Sequence, residues 1–317
     1  MSSSLLDHVI IGKESTYNTA VVPSIQLPIA REGGISTDPS AEAKSELRST
    51  QAQTNVILQG VRKHEGSYKL DLFHELAGYV FLSALGDVTS ALKGGESAVY
   101  EHDFAEALTK QSYTIEQKFG SLTRRFSGAV FNVFKLIAEA GQAAISLETE
   151  VMAAGNVTSS PVTPVAPTSG RFVFDNLSIQ IASAVFDQIT KIELEHNSGL
   201  ALIPTLNGSK EADTLVNNGS TVKINIEAIL DATVAAKYQE MLNNTTQRID
   251  LDVVGSETIG TGSNPALNIG LPNCKIITGE LAQVGEGAAL LPITLESFSE
   301  TGSHYDEFKL TNQTSSY

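Results

Sequence analysis

Tryptophan is missing from this sequence, cysteine occurs once and methionine three times, and aromatic residues make up only 6%. The single cysteine, Cys274, excludes an internal disulfide framework. Basic residues are scarce: 21 stand against 36 acidic ones, a net charge of −15. Tight wrapping of nucleic acid is therefore disfavoured, because that affinity comes from Lys and Arg displacing phosphate counterions. Standing beside DNA without sticking to it is not excluded. Long apolar runs are lacking too, and no stretch approaches the ~18 residues a membrane helix needs. The opening MSSSLLDHVIIGKE has no basic n-region, so no secretory signal is expected, and the chain reads as soluble and cytosolic in synthesis. What it has in plenty is Ser, Thr, Asn and Gly, the profile of a β-rich chain with many turns. Its 317 residues suffice for one large or two ordinary domains.

Residues 155–170, GNVTSSPVTPVAPTSG, carry Pro161, Pro164 and Pro167, which fix φ and remove donors. They read as a linker between a first domain, 1–154, and a second, 171–317. The halves share an order of features. GSYKLDLFHELAGYVFLSALG (66–86) and GSTVKINIEAILDATVAAKYQEML (219–242) each pass from alternation around a lysine, Lys69 or Lys223, into helical spacing. Leu72, Leu76, Tyr79, Val80 and Ser83 share one helical face, as do Ile226, Leu230, Val234, Lys237 and Met241. QSYTIEQKFG and QRIDLDVVGS follow as strands. A hairpin then matches Lys135, Ile145, Leu147 and Glu148 to Lys275, Ile293, Leu295 and Glu296, so the chain reads as a duplication. Residues 171–196 add two or three short strands. Residues 33–55 are polar and too long for an ordinary connection, which predicts a projecting loop.

Motifs for chemistry fail on inspection. In GKESTYNTA (12–20) the Gly-Lys pair suggests a phosphate loop, but Asp7 occupies the place of the required glycine and Glu14 follows the lysine, so the segment reads as a turn. His74 and Glu75 begin a zinc-protease helix, yet Gly78 stands where the second histidine is needed. The six histidines show no i,i+4 pair. Cys274 falls in a predicted core strand and reads as a packed thiol. Asp250 and Asp252 share one strand face, as a metal pair or as a solvated side. Lys118, Arg124 and Arg125 form a small basic patch near a hairpin. No catalytic, cofactor or metal site is expected, which shifts weight from enzyme to structural or binding protein.

GKESTYNTAVVPSIQLPI (12–29) resembles the N-terminal Gly-x-Glu-x-x-Tyr-Gly-Thr-Ala segment of the tail tube proteins of long-tailed bacteriophages, through Gly12, Glu14, Tyr17 and Thr19. YTIEQKFGSLTRRFSGAVFNVFKLIAEAGQAAISLETEV (113–151) resembles that family's core strands, and the second half resembles a divergent copy. Asn18 departs from the family's glycine but tolerates positive φ. The resemblance implies a mainly β fold with α+β units: two tandem β-sandwich or barrel-like domains, each flanked by a helix. It implies a homo-oligomer, with subunits joining sheets into rings and rings stacking into the virion's tail tube, beside partners such as tape measure and terminator proteins. With two units per chain, three chains would complete a pseudo-sixfold ring, and trimers are expected over hexamers. Acidic residues facing the lumen would repel passing double-stranded DNA over a Debye length of roughly 8 Å. Glu42, Lys44, Glu46, Arg48 and Gln51 in the projecting loop are the expected contacts between rings. The competing readings are a tail-tip, receptor-binding or adhesin module and, more distantly, a hydrolase using Asp250 and Asp252.

Overall fold

The computed structural model describes residues 6–44, 56–205, 208–230, 234–236, 239, 242–279, 282–284, 288–299 and 302–317. Strands dominate the fold, as the alternation predicts. In Lys63–Asp71, His64, Tyr68 and Leu70 are buried while Lys63, Glu65, Ser67 and Lys69 face away. In Thr221–Ile229, Val222, Ile224, Ile226 and Ala228 are buried while Thr221 and Lys223 are exposed. A period of two with one apolar side specifies register strongly, because a one-residue slip would turn every apolar side chain outward.

The resulting sheet runs through both halves. Its antiparallel order is Ile29–Asp38, Lys63–Asp71, Ser146–Ala153, the later part of Leu122–Glu139, Ile189–Asn197, Thr221–Ile229, Ala288–Ser297 and the later part of Ala266–Gly279. The halves join where Val133–Glu139 pairs with Lys191–Asn197.

Two long strands change sheets part-way along. The early part of Leu122–Glu139 pairs with Gly155–Thr158 and with Tyr113–Phe119; the latter pairs with Leu6–Lys13, and that with Ile25–Leu27. The early part of Ala266–Gly279 pairs with Glu307–Asn312 and with Gln247–Val254; the latter pairs with Leu177–Ile181, and that with Ala184–Val185. Each half also carries a two-stranded ribbon, Ala41–Lys44 with Val56–Gln59 and Leu200–Ile203 with Thr214–Asn217. The pairing order of the first half thus recurs in the second.

One feature does not recur. The hairpin Gly86–Leu92 and Tyr100–Glu106 belongs to the first half by sequence but joins the second half's smaller sheet through Glu307–Asn312. The core is shared in the same way: Phe308 lies 4.9 Å from Phe81 and 6.1 Å from Phe134, ring centre to ring centre. Edge-to-face aromatic contacts of this kind add to the area they bury.

The helix is Ala77–Leu85, buried on nearly every side because its residues are apolar nearly all round. Ser83, the polar exception on its predicted face, donates to the Gln111 carbonyl at 2.8 Å and accepts from the Phe131 N–H at 3.0 Å, so its burial is satisfied. Leu72 and Leu76 precede the helix. In the second half Ile226 lies on a strand and not on the expected helix face, since the period-two pattern continues to Ala228. Val234 is helical and buried; Lys237 and Met241 lie outside the described residues. The polar segment from residue 33 is not all loop, because Gly33–Asp38 completes an edge strand against Lys63–Tyr68. Gly155–Thr158, at the start of the proline segment, is also strand. No helix among the described residues is long and apolar enough to cross a membrane.

Candidate assembly surface

The N-terminal turn is built around a buried carboxylate. Glu14 is 2% exposed and accepts from the Asn18 N–H (3.0 Å), Ser112 Oγ (2.7 Å), Thr114 Oγ1 (2.8 Å) and the Gly128 N–H (3.0 Å). It ties the turn to the place where Leu122–Glu139 leaves the smaller sheet for the larger one. Gly128 sits there at φ 60°, and a Cβ on it would meet Ala154 Cβ at 2.9 Å. Asn18 adopts φ 58°, as its stand-in for glycine requires, and its Oδ1 accepts from Ser127 Oγ at 2.7 Å. Gly12 lets residue 23 pass close by: an added Cβ would lie 2.8 Å from the Pro23 Cα. Tyr17 is half-buried, its hydroxyl has no hydrogen-bond partner among the described residues, and burial with the nearby Glu14 charge pushes its pKa up to about 12. Thr19 is exposed and its N–H closes the turn on Thr16. Gly12, Glu14, Tyr17 and Thr19 thus all lie in or beside this one turn.

The solvent side of the large sheet holds the most ordered charge pattern in the molecule. In register across successive strands stand Lys69, Glu148, Lys135, Glu195, Lys223, Glu296 and Lys275. Basic and acidic residues alternate along the whole row. Lys69 Nζ is 2.7 Å from Glu148, and Lys135 Nζ is 2.7 Å from Glu195 and 3.7 Å from Glu193. The hydrogen bond that Lys135 donates to Glu195 is the main cause that raises the Lys135 pKa. A parallel row places Lys191 between Glu139 and Glu227. Opposite charges directly across a ladder stabilise it, and like charges would weaken it. Around Lys69, Lys135 and Glu148 the face is concave, enclosing about 630 Å³. Matching lysines and glutamates between the halves is possible from sequence; seeing them as one row is not, because the row exists only in the register.

The ribbon Ala41–Lys44 with Val56–Gln59 projects from this framework. Glu42 and every residue from Val56 to Gln59 are exposed, Ile57 by 68% and Leu58 by 51%. Lys44 pairs with Glu42 on the same strand. Glu46, Arg48 and Gln51 lie outside the described residues. The second ribbon, by contrast, is held to the first half: Glu211, in its connecting loop, meets His64 Nε2 at 2.7 Å and Arg62 at 3.2 Å.

The residues considered for chemistry are occupied structurally. Asp250 binds Arg248 at 2.7 Å and Asp252 accepts from Asn268 Nδ2 at 2.6 Å. Arg125 pairs at 2.6 Å with the buried Glu116, and Arg124 donates to Thr37 Oγ1 at 2.6 Å. Burial pushes the Cys274 thiol up to about 12, so it is not a thiolate at neutral pH. His74 meets Glu257 at 2.7 Å, yet burial still lowers its pKa. Among the described residues no group of three or more His, Cys, Asp or Glu is placed to hold a metal ion.

Comparison with known proteins gives one family. A family model described as "Phage tail tube protein" matches residues 8–295. Among curated proteins, none matches the chain.

Proposed function

Because the chain belongs to the phage tail tube protein family, a structural family of the virion tail and not a class of enzymes, we propose that it self-assembles into rings whose joined sheets line the channel used by double-stranded DNA during ejection. The observation that carries this reading is the row of alternating charge on the open side of the large sheet, hollowed around Lys69, Lys135 and Glu148. Each of Lys69, Lys135, Lys191, Lys223 and Lys275 stands beside a glutamate in the cross-strand register. A phosphate approaching any of them meets a neighbouring carboxylate, so the wall can stand close to DNA without holding it.

The repeated pairing order supports reading the chain as two tail-tube units, 1–154 and 171–317, joined by 155–170. Three chains would then supply the six units of a pseudo-sixfold ring, built in the host cytoplasm and joined in the tail by tape measure and terminator proteins. The ribbon of Ala41–Lys44 with Val56–Gln59 is the part of this arm assigned to the next ring. An isolated two-stranded ribbon is marginal in water, and its exposed Ile57 and Leu58 suit a partner surface.

Electron microscopy of the purified full chain, with the mass of a single ring, tests the reading. Tubes of constant bore built from three-chain rings are expected, and removal of residues 41–59 should leave rings that do not stack. Stable monomers, or closed trimers that bind cells, would instead favour a tail-tip or receptor-binding protein.

A further inference from the structure

Leu108 is the most exposed large apolar side chain among the described residues, at 87%. Its loop joins the strands Tyr100–Glu106 and Tyr113–Phe119 and is held on both sides. The Ala107 N–H and Lys110 Nζ donate to the Leu85 carbonyl at the end of the helix, at 2.8 and 2.9 Å. Gln111 Nε2 donates to the Glu14 carbonyl at 2.7 Å, and Asn217 Nδ2 to the Leu108 carbonyl at 3.4 Å. A side chain carried on a backbone this fixed gives up little freedom when a partner covers it, which suits an anchor for docking.

Beside the start of the same helix lies a largely apolar groove of about 300 Å³, lined by Ile25, Leu76, Tyr79, Val165 and Pro167 among others. Val165 is 70% exposed and bridges to Ile25, so the proline segment forms one wall. The Tyr79 ring stands edge-on to Tyr317, centres 4.9 Å apart, and forms another. The length of Ala77–Leu85, about 13 Å of helical rise, separates this groove from the Leu108 loop. Charge agrees as well. Lys110, two residues from Leu108, and Glu75, in the groove lining, are opposite in sign, and neither has an ion pair among the described residues.

Knob and groove lie towards opposite ends of the molecule. The helix starts soon after the strand Lys63–Asp71 has ended, and its last turn reaches Ser198, whose Oγ donates to the Ala84 carbonyl at 2.8 Å. Ser198 follows Ile189–Asn197, the strand that gives way to the second ribbon. Neighbours in the large sheet are antiparallel, so Ile29–Asp38 and Ile189–Asn197, four places apart, run the same way. Both ribbons therefore leave the sheet towards the end that carries Leu108. A knob at one end and a socket at the other make a head-to-tail contact, which can repeat from copy to copy without closing.

We propose that Leu108 of one copy seats in the groove between Tyr79 and Val165 of a second copy in the next ring, on the side towards which the first ribbon also reaches. This rests on the self-assembly reading above. It adds to the ribbon a second and more rigid contact between rings, and a fixed knob in a fixed socket sets how one ring is turned on the next.

Leu108→Asp in the full chain places a charge at the contact without touching the core. Rings should form as before, while the mean length of tubes in electron micrographs falls at least tenfold; Leu108→Met should keep the unmodified length. A second measurement does not depend on length. With Leu108→Cys and Val165→Cys together, both at exposed positions, a short bismaleimide should link assembled tubes into ladders of more chains than one ring holds, whereas either change alone should not. The native Cys274 is buried and leaves the background low. Tubes of normal length from Leu108→Asp, tubes that form without linking, or links confined to the chains of one ring would each overturn the contact. If the unmodified chain forms no tubes, the self-assembly reading itself fails, and the contact with it.

Discussion

Replacing Glu14 by Gln tests whether the N-terminal turn is held by the buried carboxylate. The side chain changes little in size, so the loss comes from hydrogen bonding. Oε1 accepts from Thr114 and Gly128, and Oε2 from Asn18 and Ser112. A glutamine keeps one oxygen and presents an NH₂ at the other place. The Ser112 and Thr114 hydroxyls can rotate to accept from it, but the Asn18 and Gly128 N–H groups cannot. With the NH₂ at the Oε2 place the half-buried Asn18 N–H is left unpaired, and with it at the Oε1 place the Gly128 N–H keeps only its longer 3.3 Å contact to Oε2; either costs about 1–3 kcal/mol, and the remaining bonds lose their charge assistance. Glutamine avoids burying a charge, which offsets part of this. The net expectation is a destabilisation of about 2–3 kcal/mol, or a fall in the urea midpoint of roughly 1 M for an m-value near 3 kcal/mol/M. Urea unfolding of the dispersed chain, followed by tyrosine fluorescence and far-UV circular dichroism, measures it. A shift below about 0.2 M, with the m-value unchanged, would refute the idea that these donors depend on the carboxylate.

Two further outcomes follow from buried and surface charge. His196 is fully buried against Phe134, its Nδ1 is 3.1 Å from the Tyr305 hydroxyl, and burial, helped by Lys110 and His304, lowers its pKa to about 3. The unfolded chain takes up a proton near pH 6.5 and the folded chain does not, so stability should fall progressively from pH 6.5 towards 3, by a few kcal/mol from this group, and His196→Gln should reduce that slope in acid-unfolding curves, leaving the part due to His74 and His102, whose pKa values burial also lowers. On the open sheet face, joint replacement of Glu148, Glu195 and Glu296 by Gln should make assembled tubes retain at least about tenfold more duplex DNA at 50 mM salt than the unmodified tubes, with release by 200 mM; unchanged retention would contradict the lining role.

Much of the fold could be read from periodicity. Alternation identified the strands at 113–119 and 247–254 and those of 171–196, and the lysine and glutamate matches identified the repeated order of the halves. The rest depended on contacts far apart in sequence. In the sequence Glu14 reads only as an acid that spoils a phosphate loop, because its donors at Ser112, Thr114 and Gly128 lie about a hundred residues away. Ile226 suited either period, and strand pairing on both sides of it decided the matter. That the hairpin at residues 86–106 crosses to the second half could not be inferred, since nothing local distinguishes pairing with Glu307–Asn312 from pairing nearer home. At the candidate surface, Asn18 and its positive φ were legible from turn chemistry, whereas the charge row needed the register.

On the proposed function, that row also changes how acidity would serve a DNA conduit. A wall of glutamates alone would repel phosphate, but directly opposed like charges weaken a β-ladder. Lysines interleaved between glutamates remove the repulsion within the sheet. They could then grip DNA, were each not already engaged. Exposed ion pairs are individually worth only about 0–1 kcal/mol, so no single pair would withstand a phosphate for long. The protection lies in the geometry: Lys135 and Lys223 each have a carboxylate on both sides in register, so displacing one glutamate leaves the other. Lys69 and Lys275, at the two ends of the row, each have one such glutamate in register, Glu148 and Glu296, so they are the lysines of the row whose glutamate a phosphate would displace most readily.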